Sequence, residues 1–385
     1  MKDIIDMTKL KKIILATVAT AIMPVAAFPC TSAIVAASAN PSGRPVLWKH
    51  RDTSTIDNKV EYVAPEKGAF GYVALFNASD RDLREAWMGM NDAGFAVMNT
   101  ASYNIKDDRV PQKKMDREGI LMTKALQTCR TVDDFARLLD SYPRPMGVEA
   151  NFGVIDAYGN GAFFETNNHS YVRYDLADQP DGVLVRTNYS HSGRKNEGYG
   201  FVREANANCI LRPYIEERSV SPEVLTEVVS RTFYHDLKKR DYTSADEQWL
   251  IDQDFIPRYK STATIAIEGC RPVAAQDSVT PDFVADEYIM WTGLGYPPVA
   301  EIRAVRCKDG GVPEEQRGSL PDGHSPLGDE AKRKRDEVFP LKAGNGDKYL
   351  DITKLYNREG TGYAQQAISI NRHTYRIEKL KRDGK

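Results

Sequence analysis

Short apolar runs, each closed by Gly, Pro, Asn, Asp or Ser, recur through most of the chain and constrain its fold more than any other feature. Runs of this length bounded by turn residues read as strands rather than helices. Thr31-Ser32-Ala33-Ile34-Val35-Ala36 leads through the polar turn Asn40-Pro41-Ser42-Gly43 into a second strand at 45–49, as in a hairpin. Further strand-like pieces fall at 70–76, 95–99, 152–155, 162–165, 183–187 and 261–267. Asp156 to Gly161 separates two of them as a hairpin loop.

Helical patterns interrupt the strands. Glu118 to Thr128 and Val132 to Leu139 are apolar at helical spacing, and Thr131 ahead of Asp133 and Asp134 makes an N-cap. Ser221-Pro222-Glu223 starts another helix, with Pro at its first position. This succession predicts α+β layers rather than a regular βαβ alternation. A chain of 385 residues fits either two average domains or one large one. The 52 basic against 54 acidic residues, net −2, give no electrostatic reason to expect nucleic acid or an anionic membrane as partner.

The first residues follow a different plan. Lys2, Lys9, Lys11 and Lys12 precede an apolar run from Ile13 to Ala27 that ends in the small pair Ala26-Ala27. A basic start, a short apolar stretch and small residues describe a secretory signal peptide. The run is shorter than the roughly 20 residues a permanent membrane helix wants. The expectation is therefore an exported chain, periplasmic or secreted, with no stable membrane insertion after processing.

Five cysteines are present, Cys30, Cys129, Cys209, Cys270 and Cys307. No two form a CxxC pair, so no zinc site is expected. Apart from Cys30, the four can pair in an oxidising compartment or stay buried as thiols, and the spacing leaves both open. Cleavage of the leader leaves Cys30 at or close to the new N-terminus, once Phe28-Pro29 is trimmed. A thiol on the first residue lies beside a free α-amine of ordinary pKa roughly 8, so the nucleophile carries its own general base. The six histidines form no recognisable triad, and none is needed. GxSxG, GxGxxG, HExxH and a phosphate-binding glycine loop do not occur.

The string CTSAIVAASANPSGRPVLWKHRDTS, residues 30–54, resembles the opening of the N-terminal-nucleophile cysteine hydrolases. That group includes bile salt hydrolases, penicillin V acylases, isopenicillin N acyltransferase-like amidases and a dipeptidase family. On the paired strand many members carry Arg-Asn-x-Asp, and here the aligned string is Lys49-His50-Arg51-Asp52. Asp52 matches the aspartate that fixes nucleophile and amine. Lys49 stands where arginine is usual, leaving open whether Lys49 or Arg51 supplies the positive charge. GMNDAGFAVMNTASYN places Asn99 on an oxyanion-hole asparagine, and VLVRTNYS places Asn188 on a second one. RYKSTATIAIEG and WTGLGYPPVAEI look like later core strands of the acyltransferase-like branch.

The resemblance implies a four-layer αββα sandwich of the Ntn-hydrolase type. It implies hydrolysis of a linear amide C–N bond in a small molecule, with no cofactor and no metal. A dipeptidase or acyltransferase of the same superfamily is the alternative; from another class, a lipid-anchored binding protein with Cys30 acylated. Together with the leader pattern and a composition shift after Cys307, it divides the chain into a leader, 1–29, a catalytic domain, 30–307, and a region, 308–385, packing on that domain. Composition in the last region shifts to Gly, Pro and charged residues, with one charged helix at Asp329 to Glu337 and a tail from Tyr349 that packs back as a helix. A homo-oligomer is left open.

Overall fold

The computed structural model describes residues 30–244, 247–251, 254–272, 284 and 287–382, so the leader read over 1–29 lies outside the described residues. The N-terminal hairpin is present as β1, Thr31–Val35, and β2, Val46–Asp52, paired antiparallel with Thr31 opposite His50. The chain then runs through β3, Asn58–Val63, β4, Tyr72–Asn77, β5, Met88–Asn91, and β6, Ala96–Ala101. Two helices follow, α1, Glu118–Thr128, and α2, Val132–Ser141. Strands resume as β7, Ala150–Ile155, β8, Gly161–Thr166, β9, Tyr171–Asp175, and β10, Val183–Arg186. The larger elements that follow are α3, Phe201–Glu216, β11, Ser261–Glu268, β12, Ile289–Leu294, β13, Ile302–Val305, α4, Pro326–Val338, and α5, Tyr363–Arg382.

Two large antiparallel sheets result, beside a two-stranded and a three-stranded one. One holds seven strands in chain order from β3 to β9. The other has the order β10-β1-β2-β11-β12-β13. Alternation along each strand decides what goes where. On β2, Leu47 points into a cluster with Ile34, Val73, Met98, Phe163 and Ile265 between the sheets. Val46 and Trp48 point the other way, into a cluster with Ala207 and Leu211 of α3 and Tyr375 of α5. Leu121, Leu126, Phe135 and Leu139 of α1 and α2 cover the outer face of the seven-stranded sheet. The four-layer αββα order expected from the sequence is the order found.

Local chemistry sets several ends. Thr131 and Asp134 form a reciprocal capping box at the start of α2. Ser325 caps α4 by accepting from the Gly328 amide at 3.2 Å. Phe135 stacks against Phe152 and Phe164 at centroid distances of 5.8 and 5.1 Å, and truncating so buried a ring costs about 3–5 kcal/mol. The helix expected to start at Ser221 does start there, with the Val224 amide donating to Ser221 Oγ at 3.3 Å, but it widens into a π-turn at Val224–Val228 and tightens at Val229–Arg231. Thr226 explains part of this: its hydroxyl bonds back to the Pro222 carbonyl at 3.0 Å and meets the Tyr375 hydroxyl at 2.6 Å. Among the described residues, no helix is long and apolar enough to cross a membrane.

Candidate active site

Cys30 immediately precedes β1 and is buried, its thiol donating to the Asp52 carbonyl across 3.6 Å. The two neighbours of β1 deliver the other groups. Pairing of Thr31 with His50 sets Cys30 at the Arg51–Asp52 end of β2. Pairing of Ser32 with Arg186 carries β10 toward Asn188 on the other side. Arg203, in the first turn of α3 and only 2% exposed, ties them together. Its guanidinium donates to the Cys30 carbonyl, to Thr31 Oγ1 at 3.1 Å and to Asn188 Oδ1 at 2.8 Å. Burial lowers the Arg203 pKa to about 10 against the pull of Asp52, so it remains a cation at neutral pH.

On β2, Lys49 and Arg51 share the inter-sheet face with Leu47. Lys49 Nζ donates to Asn99 Oδ1 at 2.8 Å and to the Trp87 carbonyl at 3.0 Å. Burial pulls its pKa down to about 8, with the charge of Cys30 opposing the fall, Arg51 adding to it and Glu118 again opposing. Arg51 is engaged elsewhere: it donates to Asn58 Oδ1 and to Asn77 Oδ1, the latter at 2.8 Å, and lies 5.1 Å over the Trp87 ring. Of the two cations left open by the sequence, Lys49 therefore touches a site asparagine and Arg51 braces the start of β3.

A common logic governs the two asparagines. Each has its amide oxygen bound to a buried cation, Asn99 to Lys49 and Asn188 to Arg203. An ammonium or guanidinium can only donate, so the NH2 end of each amide is the end left to meet an acceptor. Asn188 donates to the Ala101 carbonyl at 2.9 Å. Such groups suit an oxyanion.

Asp52 and His50 lie on the opposite face of β2, toward α3. Ser261 donates to Asp52 Oδ1 at 2.6 Å, and His50 Nε2 is 3.5 Å from the same oxygen. Burial, reinforced by Arg203 and Arg258, pushes the His50 pKa down to about 3, so the ring is neutral. Arg203, His50 and Ser261 escaped the sequence reading. Arg203 comes from a helix far along the chain with no motif around it, Ser261 lies in RYKSTATIAIEG but was read there only as part of a core strand, and His50 differs from the family's usual residue at that place.

All five cysteines among the described residues are free thiols. Burial pushes Cys129 and Cys307 up to about 12 and Cys270 higher still. Away from the site, Asp57, His324 and Asp329 bring one ligand atom each within 4.8 Å of one another. Lys332 already pairs with Asp57 at 2.7 Å, which disfavours a metal there. A cavity of about 790 Å³ adjoins the loop after Asn188, lined by Asn104, Lys106, Glu165, Ser192 and Arg194 among others.

Residues 51–208 match the sequence model of a family described as acyl-coenzyme A:6-aminopenicillanic acid acyl-transferase. That span contains Asp52, Asn99, Asn188 and Arg203, begins after Cys30, and is less than half of the chain. The superfamily resemblance read from the sequence thus has an independent match behind it. No curated protein sequence matches the chain. Among solved structures, a variant of the conjugated bile acid hydrolase from Clostridium perfringens superposes with TM-score 0.43 at 11% identity, over 73% of this chain and 93% of that one. The Caenorhabditis elegans ortholog of N-acylethanolamine-hydrolyzing acid amidase gives 0.40 at 13%, over 67% and 98%. Penicillin V acylase from Agrobacterium tumefaciens gives 0.38 at 11%, over 72% and 86%.

Proposed function

We propose that this chain, which carries the pattern of that acyl-transferase family over residues 51–208, cleaves a linear amide through Cys30 once removal of residues 1–29 makes Cys30 the first residue. The observation that carries the reading is Arg203, whose one guanidinium holds both the carbonyl of Cys30 and the amide of Asn188. A cysteine with only a packing role needs no buried cation tying it to an asparagine on another strand.

The chemistry runs in two halves. The Cys30 sulfur bonds to the substrate carbonyl carbon while its proton passes to the α-amine. The NH2 groups of Asn99 and Asn188 meet the oxyanion, and losing one such donor typically costs roughly 100- to 1000-fold in rate. The α-ammonium then protonates the leaving nitrogen as the C–N bond breaks. Water attacks the thioester, its proton goes to the α-amine, and the acid leaves as the thiol re-forms. An amine in place of water makes the same thioester an acyl donor, which is the transfer that the family description names. Asp52 orients the α-amine. The substrate is a small acyl amide, and we place the enzyme outside the cytoplasm because of the leader.

The test is the mature N-terminus together with turnover. Intact mass of exported protein should give an unmodified chain beginning at Cys30. A panel of conjugated bile salts, penicillin V, N-acyl amino acids and dipeptides should show cleavage that disappears in Cys30→Ala. A fully active chain that retains Phe28-Pro29, or a mass carrying fatty acyl groups, sinks the proposal.

A further inference from the structure

The helix-facing side of β2 carries Trp48, His50 and Asp52 in succession, and none of the first two has a part in the reaction above. All are buried, with Trp48 and His50 fully inaccessible. Beside them on β11 stand Ser261 and Thr264, also inaccessible, and Ser230 reaches in from the tight turn after the π-turn. Their hydrogen bonds form one chain. Trp48 Nε1 lies 3.1 Å from Thr264 Oγ1, which lies 2.6 Å from Ser230 Oγ. Ser230 Oγ lies 3.3 Å from His50 Nδ1. His50 Nε2 lies 2.8 Å from Ser261 Oγ, which lies 2.6 Å from Asp52 Oδ1.

The direction of every link follows from its ends. An indole N–H only donates, and a carboxylate only accepts. Ser261 spends its single proton on Asp52, while the Arg258 amide donates to its oxygen at 2.8 Å. His50 must therefore donate to Ser261 from Nε2, which makes Nδ1 the acceptor for Ser230. Ser230 then accepts from Thr264, and Thr264 from Trp48. No atom along the line needs a second proton, and none lacks one. A neutral ring is the only form that fits, in keeping with a His50 pKa pushed down to about 3 by burial and by the nearby Arg203 and Arg258.

The backbone is bent to close this chain. From His50 opposite Thr264 to Arg51 opposite Ala263 the register of β2 with β11 is regular. Asp52 then pairs with Ser261 rather than with Thr262, because the register shifts between Ser261 and Ala263. Bulges re-aim side chains, and this one turns the Ser261 hydroxyl onto the carboxylate.

We infer that Ser261 and His50 are positioning residues for Asp52, forming with Trp48, Thr264 and Ser230 a one-way hydrogen-bond chain that ends on its carboxylate and fixes it beside Cys30. The inference rests on the reading that Asp52 orients the α-amine of Cys30. Hydrogen bonds in line polarise one another, so the last donor to Asp52 is stronger than an isolated serine. It also leaves the carboxylate one rotamer.

The experiment uses the chain beginning at Cys30 and needs no identified substrate. Iodoacetamide labelling of Cys30 is followed by peptide mass from about pH 5 to about pH 9, in wild type, Asp52→Asn, Ser261→Ala and Ser261→Thr. Ser261→Ala removes the donor that favours the charged carboxylate, so its acid limb should move to higher pH, with labelling at the acid end of the range slowed about tenfold. Asp52→Asn should slow labelling at least as much, and Ser261→Thr, which keeps the hydroxyl, should restore the wild-type profile. Should Ser261→Ala fail to fold, Ser230→Ala, two links further out, should give a shift of the same sign and smaller size. A Ser261→Ala or Ser230→Ala profile superimposed on wild type overturns the chain while Cys30 stays the labelled residue. Wild-type labelling that favours another cysteine instead overturns the reading beneath it.

Discussion

Arg203 donates to the amide oxygen of Asn188 at 2.8 Å with the same guanidinium that holds the Cys30 carbonyl, so the proposed nucleophile and the proposed oxyanion donor are fixed to one group rather than to each other. Misplacing a catalytic group by about 1 Å can cost roughly 100-fold in rate. Arg203→Met should therefore lower kcat about 100-fold with a smaller change in KM. It should also cost about 1–3 kcal/mol of stability, since it leaves buried acceptors unpaired. Arg203→Lys, which cannot span both acceptors, should recover little of the rate. Steady-state kinetics alongside thermal melts check both statements, and a kcat within threefold of wild type (roughly 0.65 kcal/mol) would remove Arg203 from the site.

Lys49 makes a prediction about alkaline pH. Its pKa, held near 8 mainly by burial, means that the cation on Asn99 is lost as pH rises through that value. A neutral amine can accept as well as donate, so Asn99 is no longer fixed with its NH2 toward the substrate. Activity should fall on the alkaline side with a midpoint about pH 8. In Lys49→Arg that limb should move to higher pH even if the maximum rate drops, because a guanidinium stays charged. Lys49→Met should lower kcat roughly 10- to 100-fold across the range. An unchanged alkaline limb in Lys49→Arg refutes the assignment.

Cys30 should be separable from Cys129, Cys270 and Cys307. Cys30→Ala should abolish turnover while costing on the order of 1 kcal/mol of stability. Cys30→Ser should be strongly impaired, because an alcohol is the poorer nucleophile. Iodoacetamide should modify Cys30 before Cys129, Cys270 and Cys307, whose thiols burial holds at about 12 or above. Inactivation that tracks any of those three contradicts the reading.

His50 should leave a mark on stability against pH. Its folded pKa of about 3 lies below the ordinary 6.5, so the unfolded chain binds the proton first as pH falls. Stability is then complete above about pH 6.5 and is lost progressively toward pH 3, with His50 contributing on the order of 3 kcal/mol of that loss by about pH 4. Denaturant midpoints of His50→Gln should be lower at neutral pH and flatter below about pH 6. A slope equal to wild type would show that the acid loss belongs to other groups.

How legible all this was depended on how local the cause was. Thr31–Val35, Val46–Asp52, Gly161–Thr166 and Ser261–Glu268 announced themselves by apolar alternation between turn residues, and the capping box at Thr131 announced α2. Met88–Asn91 did not, since Met-Gly-Met-Asn has no β-branched residue and becomes a strand only between two neighbours. Tyr171–Asp175 is a half-exposed edge strand without a clear apolar face. Phe201–Glu216 is rich in polar residues and contains Pro213, so its helical period is faint. The site shows the same division. Cys30 is marked by the basic and then apolar stretch of sequence before it, and Asn99 and Asn188 needed the family resemblance. Arg203 meets Cys30 across 173 residues of chain, and no local pattern encodes such a meeting.

The strand order of the two sheets has a consequence for when the site comes into being. The seven-stranded sheet is assembled from neighbours in sequence, so each pairing closes a short loop, apart from the crossing over α1 and α2. The strand after Cys30 waits for β10, and Asp52 waits for Ser261, 209 residues downstream. Contacts of that range are entropically the slowest to form, so a growing chain should complete the meander while its thiol is still unframed. Pulse-labelled hydrogen exchange should accordingly protect β4 to β8 before β2. A chain released short of β11 then has its cysteine but not the Ser261 hydroxyl that holds Asp52, so under the proposed reading the carboxylate beside the thiol is placed only in the finished molecule.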